Sequence, residues 1–374
     1  MNITNLETET TMTFFKKYLL PGFIFQSVVI GGGYGTGREL VEFFLAEGPL
    51  GGYFGMILAM LIWSAVMAIT FELARMGKNY DYRSFLNSLL GNWWIVYEIV
   101  YVLGLILTIS VIGSASGKLT HEISGLPEIV GTIVMMALVG FFVFYGSALI
   151  VKVLSVWSFL LYAVYIVLAL ACWIVFGDTI KDMVSLYKED SQWFLGGVKY
   201  AAYNIGGIPA LLFSTRYIQS RREAFISGTF AGAIGMVPAF LIYTALLSQY
   251  PEIVSEVIPA NFILSQLGSP VFQAVFQVVL LGTFVETGIG LTHGFNERIA
   301  GVYHERGTEM PRSFRLGIAL GILIVATYIA NAVGLTGLIA KGYGTITWVW
   351  WIIYVIPVLT LGIWRIKQSE NKQL

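Results

Sequence analysis

Along the chain, apolar residues gather into long blocks separated by short polar stretches. The blocks fall at about 18–46, 50–76, 92–119, 127–146, 147–176, 194–216, 222–249, 269–299, 313–334 and 338–364. A helix needs about 20 apolar residues to cross a bilayer, and most blocks reach that length. The run 127–176 is too long for one crossing, so it divides near Tyr145, Gly146 and Ser147. The pattern predicts an all-α integral membrane protein with about ten transmembrane helices.

Two blocks break their own pattern. The first runs apolar through Val28, Val29 and Ile30, then meets glycine at 31, 32, 33, 35 and 37, with Tyr34 and Thr36 between them. Each glycine costs a helix roughly 1 kcal/mol relative to alanine. Arg38, Glu39 and Glu42 follow at a depth where charges are expensive and usually functional. The sixth block carries Tyr203, Asn204, Ile205, Gly206, Gly207, Ile208 and Pro209 in mid-span, and proline removes a backbone donor there. Gly31/Gly35 and Gly33/Gly37 also have the small-xxx-small spacing that lets intact helices pack closely. The adjoining charges favour an unwound site, and residues 31–37 and 204–208 are expected to leave regular helix. The glycine spacing does not fit the dinucleotide fingerprint.

The polar linker 177–193 leaves five blocks on either side, so the second half enters the membrane upside down relative to the first. The expected organisation is a tail at 1–15, a five-helix repeat at 16–176, the extracytoplasmic linker, an inverted five-helix repeat at 194–366 and a tail at 367–374. Interrupted helices at equivalent places in two inverted halves point to a transporter site. Of the 22 Lys and Arg, only Arg38, Lys118, Lys181, Lys188, Lys199 and Lys341 fall outside or in outer halves when both termini are cytoplasmic.

Composition agrees and narrows the partners. The 374 residues are 57% hydrophobic and 12% charged, with a mean hydropathy of +0.76. The net charge is zero and no basic tract is present, which argues against nucleic acid and leaves the lipid bilayer and a small-molecule substrate as partners. Cys172 is the single cysteine, so neither an intrachain disulfide nor a cysteine-rich metal site is expected. Lys16 and Lys17 precede the first block as in a signal peptide, but the block is long and lacks a small-x-small cleavage site, so it is read as an uncleaved span.

Ten helices as five plus five, with helices 1 and 6 broken at mid-membrane, resemble the LeuT-like fold of the amino acid–polyamine–organocation superfamily. Within it, Gly31-Gly32-Gly33-Tyr34-Gly35-Thr36-Gly37-Arg38-Glu39 followed by Phe43-Phe44 resembles the Gly-Ala-Gly-Phe-Ala-Ser-Gly-Gln-Glu signature of YkvI-like bacterial membrane proteins. Arg38 stands where that signature has glutamine. The resemblance implies a secondary active transporter in the bacterial cytoplasmic membrane, working by alternating access. In sodium-coupled members of this fold, a cation sits between first-helix carbonyls and an eighth-helix pattern of a small residue with hydroxyl residues three and four positions on. Thr283, Glu286 and Thr287 match that spacing, with Glu286 in one hydroxyl position.

The expected substrate-binding set is Gly31, Gly32, Gly33, Tyr34, Gly35, Gly37 and Arg38 with Tyr203, Asn204, Gly206 and Gly207. Arg38 beside freed backbone N–H groups favours a carboxylate, so the expected cargo is a small carboxylate-bearing or zwitterionic, amino-acid-like solute. An Arg38–Glu42 pair within the helix is the plainer alternative. Glu39, Thr283, Glu286 and Thr287 form the expected ion-coupling set, for Na⁺ through oxygen ligands or for H⁺ on a carboxyl. Glu286 could equally be a structural partner of Arg38.

Glu98 reads as an inner-interface residue with its head snorkelling toward water. His293 and Glu297 have metal-ligand spacing, but no further His or Cys stands near them, so no metal site is expected. No catalytic constellation or nucleotide motif suggests an enzyme or an ATP-driven pump. The alternatives are a non-transporting membrane sensor that keeps the fold, and a channel.

Overall fold

A computed structural model describes residues 14–145, 147–305 and 307–371, which are helical almost throughout. The expected tails 1–15 and 367–374 fall partly outside the described residues. The first apolar block is divided into α1 (Leu20–Val29), a single turn α2 (Gly32–Gly35) and α3 (Arg38–Phe43). There follow α4 (Pro49–Gly77), the short α5 (Tyr82–Leu90), α6 (Trp94–Ser124), α7 (Glu128–Tyr145), α8 (Ser147–Val184) and α9 (Trp193–Ile205), which tightens into a 3-10 helix over Ile208–Tyr217. The chain ends with α10 (Arg221–Leu246), α11 (Pro259–Gln266), α12 (Pro270–Glu305), α13 (Arg312–Val333) and a helical run α14 (Leu335–Ser369) containing π-type turns.

Among the described residues, seven helices are long and apolar enough to cross a membrane. The difference from about ten has a physical cause. The apolar part of α7 is only Glu128–Phe144, and the first and sixth blocks are interrupted, so neither supplies one long helix. Exposed apolar side chains such as Ile174, Val271 and Ile352 lie where a bilayer would cover them.

Local chemistry sets the helix starts. Ser220 and Glu223 form a capping box at the head of α10, and Asp81 caps α5 through the Ser84 N–H at 2.8 Å. Gly48 turns with φ 87° before Pro49 opens α4. Lys17 pairs with Glu223 at 2.8 Å, tying the segment before α1 to α10.

The closest helix pairing is α4 with α10, because glycines remove the side chains that would separate them. A Cβ on Gly228 would lie 2.3 Å from the Ala68 nitrogen, and one on Gly232 would lie 2.7 Å from the Ser64 nitrogen. Such close approach by small residues is how helices associate without a hydrophobic force between them. α1 packs on α10, and α9 packs on α4, where the Trp63 indole N–H donates to the Ala201 carbonyl at 2.9 Å. These elements form one bundle. α6, α7, α12 and α13 form a second, with α8 packed against α10 and α12 and α14 against α9.

Candidate functional site

The interruption in the first block is a change of backbone direction. Ile30 (φ −76°, ψ 93°) and Gly31 (φ −121°, ψ −159°) are extended, which ends α1 and leaves the Ile30 carbonyl without its helical partner. That carbonyl is taken by α12: the Thr287 hydroxyl donates to it at 3.1 Å and to the Thr283 carbonyl at 3.0 Å. Residues 32–35 then form a helical turn rather than open coil. Gly37, at φ 80°, adopts a left-handed conformation that a larger residue would strain, and α3 begins beyond it.

The second interruption is gentler. Asn204 and Ile205 remain in α9, and Gly206 and Gly207 keep right-handed helical angles before the 3-10 segment. The expected departure from regular helix over 204–208 is therefore a tightening. Pro209 cannot donate to the preceding turn, so the chain changes its hydrogen-bond period without unwinding. The Gly206 carbonyl still finds a side-chain partner, accepting from the Tyr97 hydroxyl of α6 at 2.7 Å.

Between the interruptions lies a small, partly open cavity. Of the predicted binding residues, Gly31, Tyr203, Asn204, Gly206 and Gly207 line it, together with Glu39. Glu39 is 2% exposed, and its carboxylate accepts from the Tyr203 hydroxyl across the cavity. The Tyr203 ring stacks on Tyr343 of α14 with centroids 4.4 Å apart and planes 8° from parallel.

The remaining glycines of the first break have packing jobs. A Cβ on Gly32 would lie 2.9 Å from the Ile112 Cα, and one on Gly35 2.7 Å from the Leu280 Cδ1. Tyr34 is buried behind the cavity; its hydroxyl, like those of Tyr165 and Tyr200, has no protein hydrogen-bond partner.

Arg38 is placed differently from the carboxylate-binding role its sequence position suggests. Its guanidinium points away from the cavity, donating at 2.9 Å to the Val254 and Glu256 carbonyls and at 2.8 Å to Glu42. It does not line the cavity. The loop carbonyls satisfy a charge that would otherwise be stranded in apolar surroundings. The same loop is tied to the first break by Ala260, whose N–H donates to the Thr36 carbonyl at 2.9 Å. Asn261 joins it to the second bundle, donating to Glu122 at 2.6 Å and accepting from Gln273 at 3.1 Å and Gln277 at 2.6 Å.

On α12, Thr283 donates to the Val279 carbonyl at 2.9 Å, and Glu286 is half-buried one residue before Thr287. The Arg38 partners seen here are Glu42 and the two loop carbonyls, so Arg38 does not serve as the strut to Glu286. Glu98 belongs to an arrangement the sequence does not disclose. It accepts from Tyr82 of α5 and pairs with Arg298 of α12, which also lies over the Tyr82 ring at 4.8 Å. The Glu297 side chain falls outside the described residues; among the described ones, no group of three or more His, Cys, Asp or Glu could hold a metal.

The architecture is that of the LeuT-fold transporters. Over 92% of this chain and 78% of the other, it matches a Na⁺-coupled sialic acid symporter with a TM-score of 0.62 at 13% identity. A manganese transporter from Eremococcus coleocola gives 0.59 at 15% identity, covering 94% of this chain and 79% of that one. MhsT in complex with L-phenylalanine gives 0.52 at 15% identity, covering 91% and 95%. In sequence, the chain is similar to the uncharacterized membrane protein YkvI of Bacillus subtilis (strain 168), with 22% identity over 327 residues, 86% of this chain and 89% of that protein. No protein-family profile matches the chain.

Proposed function

We propose that this protein is a secondary active transporter that moves a small, amino-acid-like solute through the central cavity, coupled to Na⁺ or H⁺. The observation that carries this reading is the cavity between two interrupted segments, with the Ile30 carbonyl beside it held by Thr287. Ten spans in two inverted repeats would place that cavity near mid-membrane, and alternating access would follow from rocking the α1–α4, α9 and α10 bundle against α6, α7, α12 and α13. The loop latch at Arg38 and Asn261 would close the outer side in one state and part in the other. The neighbouring Na⁺-coupled sialic acid symporter and MhsT bound to L-phenylalanine support a small-solute cargo for this architecture.

Reconstituted protein should accumulate at least one amino-acid-like solute when an inward Na⁺ or H⁺ gradient is imposed, and lose the accumulation when the gradient is collapsed. Gradient-insensitive flux at channel-like rates, or binding with no flux, would replace this reading with one of its rivals.

Orientation follows from the Lys and Arg distribution: both termini face the cytoplasm. Glu189 and Ser255 are exposed on connections assigned to the outside, and Ser84, in α5, and Thr308 are exposed on connections assigned to the inside. In a Cys172→Ser background, Glu189→Cys and Ser255→Cys should react with an impermeant maleimide in intact cells. Ser84→Cys and Thr308→Cys should react only after permeabilisation. Reversed labelling at any two sites would remove the inverted-repeat reading.

A further inference from the structure

Five cations gather where the ends of the two interrupted segments meet. Residues 14–19 and 213–225 carry Lys16, Lys17, Arg216, Arg221 and Arg222 against one acid, Glu223. Contacts bring the two stretches together. The Lys16 ammonium lies 5.5 Å from the centre of the Tyr217 ring, and Lys17 pairs with Glu223 at 2.8 Å. Glu223 is already committed, because it also closes the capping box at the start of α10. Arg216, Arg221 and Arg222 are exposed. Arg216 uses only its Nε, donating to the Phe213 carbonyl at 2.7 Å, and keeps four further N–H donors.

Aromatic rings are interleaved with this charge. Phe14, Phe15, Phe213, Tyr217 and Phe225 are exposed on the same two stretches. Cations and apolar rings mixed at the end of a transmembrane helix suit a membrane interface: the rings enter the headgroup layer and the cations meet its phosphates. The α10 macrodipole places its positive end at Arg221, in the same field. A free phosphate ion needs donors converging in a concave nest. Here the cations are spread over the segment before α1, the end of the 3-10 helix and the first turn of α10, with rings between them.

We propose that this patch binds the headgroups of anionic phospholipids, whose phosphates compensate the cations that Glu223 leaves unmatched. The lipid then holds the start of α1 against the start of α10, which pack together. This goes beyond the transporter reading and uses from it only the placement of these ends at the cytoplasmic surface. Anionic lipids of that leaflet attract juxtamembrane basic clusters. The position matters because α1 leads into the break at Ile30 and the 3-10 stretch follows the second interruption. Lipid at the patch ties the inner ends of both to one surface.

The test uses the full-length protein, purified in a neutral detergent. Phosphatidylglycerol, phosphatidylcholine with the same acyl chains, or glycerol 3-phosphate is added, and thermal stabilisation is read, since a ligand of the native state raises its apparent stability. Phosphatidylglycerol should stabilise the protein, and the other two should not. Raising the salt from about 0.05 to about 0.5 M should remove most of the effect. Lys16→Gln/Arg216→Gln/Arg222→Gln leaves the Lys17–Glu223 pair intact. It should need about 100-fold more phosphatidylglycerol for the same stabilisation, at about fivefold for each cation near an anionic surface. Lys16→Arg/Arg216→Lys/Arg222→Lys keeps the charge and should keep the lipid response. Lys78→Gln/Arg312→Gln/Lys367→Gln removes three exposed cations elsewhere on the same side and should keep it too.

Equal stabilisation by phosphatidylcholine overturns the proposal in favour of a general lipid effect, and equal stabilisation by glycerol 3-phosphate overturns it in favour of a soluble-anion site. An equal loss in the two glutamine variants overturns it as well, because the effect would then be one of net charge. Should the patch variant fail to fold, the wild type and the charge-keeping variant decide: a response to phosphatidylglycerol that ignores salt, or is lost with the charge kept, removes the site. Binding is read without flux, so its failure leaves the transporter reading standing, and a failed transport assay leaves the lipid site.

Discussion

Gly33→Leu should abolish solute uptake while the protein still inserts in the membrane, and Gly33→Ala should reduce uptake at least about tenfold. The reason is steric and local. A Cβ at residue 33 would lie 2.2 Å from Glu39 Oε1, 2.5 Å from its Cγ and 2.7 Å from its Cδ. Glu39 cannot simply swing aside, because it is buried and its carboxylate is held by Tyr203. Relief therefore requires the carboxylate to leave the cavity wall or the turn at 32–35 to shift, and either move dismantles the site. Inserting atoms into a close-packed region costs about 1–3 kcal/mol, which a protein of this size can survive without unfolding. Gly290, where an added Cβ meets nothing within 4 Å, supplies the control: Gly290→Ala should leave uptake unchanged. Uptake assays in vesicles, normalised to inserted protein and accompanied by melting curves, would decide the matter. Wild-type uptake by Gly33→Leu would reduce this glycine to filler.

Much of this site is legible in the sequence, for reasons tied to particular residues. Glycine and charge cannot both enter an apolar helix without some backbone consequence, so the Gly31–Glu39 stretch announces the break at Ile30 and Gly31. The spacing of Thr283, Glu286 and Thr287 likewise announces a face of α12, and Thr287 is the residue that reaches the freed carbonyl.

Side-chain direction is what the linear pattern leaves open. Arg38 and Glu39 are adjacent, and successive residues on a helix point about 100° apart, so one faces the 251–258 loop and the other the cavity. Nothing in the order of the two residues says which. The aromatic walls are equally silent: in a chain that is 15% aromatic, Tyr343 and Trp350 carry no mark separating them from packing residues. Their role arises only when α14 is laid against α9. The Tyr82–Glu98–Arg298 arrangement is hidden for the same reason, being assembled from three separate helices. The second interruption looks equal to the first in sequence because it holds two glycines and a proline. Two residues that accept helical angles, followed by a proline that changes the hydrogen-bond period, bend a helix less than an extended pair does.

Removing the ionisable oxygen of Glu286 should separate coupling from folding. With Arg38 engaged by Glu42 and the loop carbonyls, Glu286→Gln does not strand it, so the cost of about 3–5 kcal/mol for breaking a buried ion pair does not apply to that pair. The variant should not lose stability through Arg38. Accumulation against a gradient should fail, while one-for-one exchange of substrate persists, because exchange needs no net ion movement. Thr287→Val tests the same place from the other side. It keeps the shape of the side chain but deletes the hydroxyl that bridges the Ile30 and Thr283 carbonyls at 3.1 and 3.0 Å. A hard cation settling there would lose one oxygen ligand, and its half-saturating concentration should rise at least about tenfold. Adding Arg38→Gln to Glu286→Gln discriminates the remaining possibility. If Glu286 served as a strut to Arg38, the single variant would be unstable and the double would recover both stability and accumulation. In the arrangement described here the double variant is no more stable than the single and does not regain accumulation, because Arg38→Gln only loosens the 251–258 loop. A Glu286→Gln protein that is stable and still concentrates its substrate would take the coupling role away from this carboxyl.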